Sequence, residues 1–102
     1  MTVSTEVNES GNEVVVRISG RFDFDSHEEF GEVLEIARGR PDAHYIIDMA
    51  DVVDIDSSAL GMLLLLRDAT GGDSSRARIS RCNSDVRQEL ELANFQKLFQ
   101  FS

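Results

Sequence analysis

Residues 45–66, YIIDMADVVDIDSSALGMLLLL, decide how the rest of the chain is read. They open on a short apolar run, Tyr45-Ile46-Ile47, broken by Asp48 and Met49. An acidic turn holding Asp51, Asp54 and Asp56 is expected next, followed by two adjacent serines, Ser57 and Ser58. The stretch closes in Leu60-Gly61-Met62-Leu63-Leu64-Leu65-Leu66, apolar on nearly every side. A short apolar run bounded by turn signals predicts a buried strand, and the longer leucine-rich run predicts a buried helix. The serines therefore fall where a strand has ended and a core helix begins.

Working outward, residues 2–7 alternate Val3, Thr5 and Val7 against Ser4 and Glu6, and residues 13–19 alternate Val14, Val16 and Ile18 against Val15, Arg17 and Ser19. With the turn-forming cluster Asn8-Glu9-Ser10-Gly11-Asn12 between them, these period-two runs predict a β-hairpin. Gly20 is expected to end the second strand, leaving residues 21–25 as a loop with two carboxylates, Asp23 and Asp25. Ser26 and Glu29 have capping-box spacing at the start of a helix whose stripe is Phe30, Val33, Leu34 and Ala37, and Gly39 and Pro41 stop it. The central helix should run to about Thr70, where Gly71-Gly72-Asp73 breaks it. Residues 76–81 read as a weaker strand with Ala77 and Ile79 inward. Ser84 and Asp85 start a helix carrying Val86, Leu90 and Ala93, and the apolar tail 95–101 is a last strand or a packed extension. This order predicts an α/β fold. Its sheet is mixed and largely parallel, of four or five strands, with an N-terminal hairpin and helices packed against it.

A length of 102 residues suits one domain, 1–102, around one hydrophobic core. The formal net charge of -9 argues against nucleic acid and against an anionic membrane surface, both of which select clustered lysine and arginine. The apolar run at 60–66 is far short of the roughly 20 residues a membrane span needs. The first ten residues hold Glu6 and Glu9 and show no signal-peptide core. A lone cysteine, Cys82, cannot form an internal disulfide and suits a reducing, cytoplasmic setting.

The serine pair has two readings. As an N-cap, one serine would satisfy an unpaired helix amide, a role whose loss typically costs about 0.5–2 kcal/mol. That accounts for one serine and not for two among carboxylates. As a phosphoacceptor, either hydroxyl would place a phosphate against free helix N–H groups and the positive end of the helix dipole. The same phosphate would add about -1.5 to -2 charges beside Asp23, Asp25, Asp54 and Asp56 if the fold gathers those loops. Such a local charge change on a partner-facing surface is a switch that needs little internal rearrangement.

Asp56-Ser57-Ser58-Ala59-Leu60-Gly61, preceded by Ile55 and followed by Met62-Leu63-Leu64, resembles the signature of STAS domains, and most resembles the single-domain bacterial anti-sigma factor antagonists. Gly20-Arg21-Phe22-Asp23 matches the family's glycine-x-apolar-aspartate element. Residues 52–56 resemble its approach to the phosphorylation site, and residues 84–92 its last helix. The resemblance implies that Ser58 is the phosphoacceptor, with Ser57 the second choice and a cap-like neighbour. Asp23 and Asp56 become the acidic groups that affect recognition, and Ala59 stands where many relatives carry glycine. It further implies an ATP-using partner, an anti-sigma factor that is also a serine kinase of histidine-kinase-like fold. A PP2C-type phosphatase would restore the binding form. The expected docking surface is the loop at Asp23, the turn over 50–58 and the exposed start of the central helix, on a monomer without cofactor, metal or catalysis of its own.

Other classes fit less well. A phosphorelay receiver could use Asp48 after a buried strand, but it needs an acidic pair after the first strand and a lysine late in the sheet. This chain opens with a hairpin, and its only lysine is Lys97. A metal-dependent phosphatase could use Asp54 and Asp56 on Mg²⁺, yet the chain offers no metal cluster, phosphate loop or nucleophile-base pair. His27 and His44 read as surface residues and Cys82 as an ordinary strand-end residue. Within the STAS resemblance, an accessory module of a stress-signalling complex or of a transporter is the remaining alternative.

Overall fold

A computed structural model describes residues 2–8 and 12–102. The elements in order are β1 (Thr2–Val7), β2 (Glu13–Phe22), α1 (His27–Gly39), β3 (His44–Ile55), α2 (Ser57–Ala69), β4 (Arg78–Ser80), α3 (Ser84–Leu92) and β5 (Gln100–Phe101). They form one five-stranded sheet whose spatial order is the chain order. β1 is antiparallel to β2 and every other neighbour pair is parallel. The mixed, largely parallel sheet with an N-terminal hairpin is therefore as the sequence implies. Residues 9–11 of the expected hairpin turn lie outside the described residues.

The alternation of β2 sets the two faces of the sheet. Val14, Val16 and Ile18 are buried, and register places Val14 beside Tyr45 and Val16 beside Ile47, with Ile79 next in that row. Phe30, Val33, Leu34 and Ala37 of α1 are all buried in the same core, and the Phe30 ring lies 5.4 Å from that of Phe22. Such interdigitated apolar burial is the main favourable term in the fold. On α2 the buried residues are Ala59, Met62, Leu63 and Leu66, a stripe at helical spacing. Gly61, Leu64 and Leu65 face solvent, so the helix is not buried all round as its leucine run suggests. It ends at Ala69, with the buried Thr70 hydroxyl donating to the Leu66 carbonyl oxygen at 2.8 Å.

The expected acidic turn does not exist. β3 runs without a break for 12 residues, and Asp48, Asp51 and Asp54 all lie within it. Its pairing with β2 slips twice, between Arg17 and Ser19 and between Gly20 and Arg21, each time with one extra residue on β3. Two such bulges reset which side chains face the core, so that Met49, Val52 and Ile55 are buried at intervals of three. Gly20 likewise does not end β2. It takes a φ of 82° at the second slip, a conformation glycine adopts without steric cost, and the strand continues to Phe22.

The start of α1 is also built differently. A 3-10 turn, Phe24–Ser26, precedes it, and the reciprocal cap is between Asp23 and Ser26. Glu29 is drawn away from Ser26 because its carboxylate accepts the Val3 N–H at 3.2 Å, tying α1 to the edge strand. At the other end of the chain, Ala77 and Ile79 are inward, and Val86 and Leu90 carry the buried stripe of α3. Asn83 caps α3 through the Val86 N–H at 2.8 Å. The tail is both a 3-10 turn (Phe95–Lys97) and a last short strand.

Asp48 is only 7% exposed although it faces away from the main core. It accepts the Ala50 N–H at 3.0 Å inside the first bulge, accepts from the Arg81 guanidinium, and has Arg17 at 3.8 Å. The Arg81 hydrogen bond holds the Asp48 carboxyl below its ordinary value of 3.8, against an opposing effect of burial. On acidification the unfolded chain takes up this proton first, so the contribution is whole at neutral pH and is lost as pH falls through and below 3.8. Asp48→Asn is expected to lower unfolding free energy by about 1–3 kcal/mol at neutral pH. In urea titrations the gap to the parent chain should close below the ordinary carboxylate range. Identical midpoints for the two chains at neutral pH would refute the assignment.

Candidate functional site

One residue, Asp56, joins the end of β3 to the start of α2, in an extended conformation with φ -122° and ψ -177°. Its N–H donates to the Phe22 carbonyl oxygen at 3.3 Å, which holds the ends of β2 and β3 together. Its Oδ1 accepts the Ala59 N–H at 3.1 Å, and its carbonyl oxygen accepts the same N–H at 3.1 Å. Asp56 is therefore the N-cap, and Ser57 is not cap-like as the resemblance implies: the aspartate one position earlier already reaches the third amide of the helix.

Ser57 and Ser58 become the first two residues of α2, Ser57 exposed and Ser58 half-buried. No described residue hydrogen-bonds to either hydroxyl or accepts from either N–H. Two unsatisfied amides and two free hydroxyls thus share the mouth of the helix, an arrangement suited to an oxyanion. Ala59 is fully buried beneath them, and its methyl group belongs to the core, not to the outer surface.

The neighbouring loop is equally fixed. Asp23 Oδ1 accepts the Asp25 N–H at 3.1 Å, the Asp23 N–H donates to Ser26 Oγ at 3.1 Å, and Ser26 is fully buried. Register sets Arg21 beside Asp54 and Phe22 beside Ile55. The result is a cavity of about 190 Å³ walled by Arg21, Phe22, Asp23, Asp54, Ile55 and Asp56. Asp23, Asp54 and Asp56 are brought together there, with Arg21 the cation in the wall. Asp25 is exposed on the 3-10 turn outside that wall, and the serines adjoin it through Asp56.

Large apolar side chains that sequence reasoning does not single out are exposed on the 3-10 turn, on β3 and on α2. Phe24 is 63% exposed, Val53 65% and Leu65 54%. Phe24 sits on the 3-10 turn that packs on α2, its ring tilted by 30° and 4.9 Å from the His27 ring. Leu65 could have been found, because four consecutive leucines cannot all lie on one helical stripe. Val53 could not, since its outward face depends on the second bulge.

The remaining reactive side chains stand apart. Burial pushes the half-buried Cys82 thiol above its ordinary 9.0, away from a reactive thiolate. His27 and His44 are exposed. Among the described residues no three or more His, Cys, Asp or Glu side chains gather as a metal site, and no helix is long and apolar enough to cross a membrane.

The sequence family described as "Mlab, STAS domain" matches residues 5–100. A STAS-domain containing protein of Pseudomonas aeruginosa (strain UCBPP-PA14) is 38% identical over 102 residues, covering 100% of both chains. Among solved structures, a candidate anti-sigma factor antagonist of Thermotoga maritima superposes with a TM-score of 0.83 at 15% identity, over 97% of this chain and 84% of that one. The anti-sigma factor antagonist SpoIIAA in its unphosphorylated form gives 0.74 at 18% identity, over 99% of this chain and 87% of its own. The phosphorylated form of SpoIIAA, described as a Bacillus cell fate determinant, gives 0.72 at 16% identity, over 99% and 91%. At these identities the structural likeness concerns the fold.

The two capping readings separate in a stability measurement. Asp56→Ala should cost about 0.5–2 kcal/mol in thermal or denaturant unfolding. Ser57→Ala should stay within about 0.5 kcal/mol of the parent chain. The reverse ranking would return the cap to the serine.

Proposed function

The chain belongs to the STAS domain family, and we propose that it is an anti-sigma factor antagonist switched by phosphorylation of Ser58. In this reading the unphosphorylated chain binds an anti-sigma factor that is also an ATP-using serine kinase, and phosphorylation by that partner releases it. A PP2C-type phosphatase resets the cycle. The chain works as a single cytoplasmic domain and a monomer, as substrate and binding partner without catalysis of its own.

The observation that carries the reading is the free Ser58 hydroxyl in the first turn of α2, at a helix mouth whose own cap is supplied by Asp56. A phosphate there replaces no existing hydrogen bond and meets two unsatisfied amides. Its charge of about -1.5 to -2 is set near Asp23, Asp54 and Asp56, so an already acidic surface becomes more so while the fold is kept. The docking surface in this reading combines that acidic cavity with Phe24 and the outward side of α2. A rigid aromatic beside charged groups is the composition that anchors protein interfaces. The likeness of the fold to antagonists solved with and without phosphate supports the same assignment.

Incubation with the partner kinase and ATP, followed by mass-spectrometric mapping, should find phosphate on Ser58. Ser58→Ala should stay bound to the partner in the presence of ATP, and Ser58→Asp should bind about tenfold more weakly or worse, a difference of about 1.4 kcal/mol. Equal affinities of the two variants would count against the switch, and phosphate on Ser57 alone would move the site by one residue.

A further inference from the structure

A second cavity lies at the other end of the sheet, where the parallel strands begin. It has a volume of about 390 Å³ and is lined by Glu13, His44, Ile46, Arg76, Arg78 and Gln100, among others. Register explains the gathering. Glu13 pairs with His44 in one row, and Ile46, Arg78 and Gln100 form the next, all on the side of the sheet opposite to Ile47 and Ile79. The volume is within the range of about 300–1,000 Å³ usual for small-molecule sites.

The charge pattern bears on what this cleft can hold. Acidic residues outnumber basic ones 19 to 10, and Arg17, Arg38, Arg67, Arg81 and Arg87 each reach a carboxylate. Arg76 and Arg78 reach none among the described residues. Arg76 meets only the His44 ring, at 3.3 Å, and Arg78 has no described partner. Two guanidinium groups that share a cavity with Glu13 yet pair with no described carboxylate are a site for an anion that can take two forked donors, the geometry a phosphate offers. Glu13 opposes a ligand that is anionic throughout, and with Gln100 it offers acceptors to hydroxyl groups, while Ile46 gives an apolar floor.

We propose that this cleft binds a small sugar or nucleoside phosphate, the phosphate on Arg76 and Arg78 and the hydroxyl-bearing part toward Glu13 and Gln100. The length of β3 separates it from Ser58, so the proposal stands independently of the phosphorylation reading.

Amide-resolved NMR titration of the whole chain with adenosine 5′-monophosphate, ribose 5-phosphate and unphosphorylated adenosine tests it. The two phosphorylated probes should shift Glu13, His44, Ile46, Arg78 and Gln100 saturably, and adenosine should not. An R76Q/R78Q variant, its fold checked by circular dichroism, should bind about tenfold more weakly or worse, whereas Ser58→Ala should bind as the parent chain does. The proposal is overturned by saturable shifts from neither phosphorylated probe, by shifts centred on residues 54–60, by equal binding of adenosine, or by parent-like affinity in R76Q/R78Q.

Discussion

The candidate site depends on how Asp56 is held. Its N–H is taken by Phe22 of the neighbouring strand, and its carboxylate closes the first turn of α2 on the Ala59 amide. A residue pinned on both sides leaves the helix a single starting point. Ser57 and Ser58 are then the first two helical residues, with hydroxyls that the structure does not consume. Were the cap a serine, one hydroxyl would be engaged in holding the helix, and modifying it would compete with folding. With aspartate in that place, support of the helix and chemistry at its mouth fall to different residues.

The same join explains why the acidic groups converge. Strands β2 and β3 end side by side, so whatever follows each of them shares one edge of the sheet. Asp23 leaves β2 as cap of a 3-10 turn, and Asp56 leaves β3 as cap of a helix. Both use their carboxylates locally, on amides within three residues, and this keeps them oriented without an ion pair. Arg21 neutralises only part of the charge in the wall. A surface left this acidic favours a partner of complementary charge, an effect on recognition and encounter more than on the fold.

How far the sequence could be read follows from periodicity. β2 and α1 keep clean periods of two and 3.6, and their buried residues are those the pattern names, with Phe22 added beyond the glycine where the strand is expected to end. β3 does not keep one period: two bulges convert its alternation into burial at every third residue, which on paper is a strand that stops at Ile47 and a polar turn. Nothing local in residues 48–54 signals a bulge, because the cause is the slip against β2 and the glycine there. The caps lie elsewhere than local spacing implies, for a related reason. Ser26 with Glu29, and Ser57 before the leucines, have the right spacing, but Asp23 and Asp56 stand upstream and Val3 claims Glu29 from across the sheet. The resemblance implies Asp23 and Asp56 as neighbouring acidic groups, whereas the place of Asp54 in the wall, the outward face of Val53 and the Asp48 ion cluster need the register.

Asp48 and the serine pair illustrate two ways one acidic chain uses charge. Asp48 is withdrawn from water, and its negative charge is tolerated because Arg81, Arg17 and the Ala50 amide surround it. Such a cluster resists change, since removing one member strands the others. At the mouth of α2 the arrangement is the opposite: amide donors without acceptors lie next to the carboxylates of Asp23 and Asp56, which are held by backbone amides and by no ion pair. Added negative charge there is drawn by the helix amides and repelled by Asp23, Asp54 and Asp56, and neither effect reaches the core behind Ala59. A modification there would therefore act on what the surface presents to a partner. That is the physical requirement for a switch that exchanges binding states while the domain stays folded.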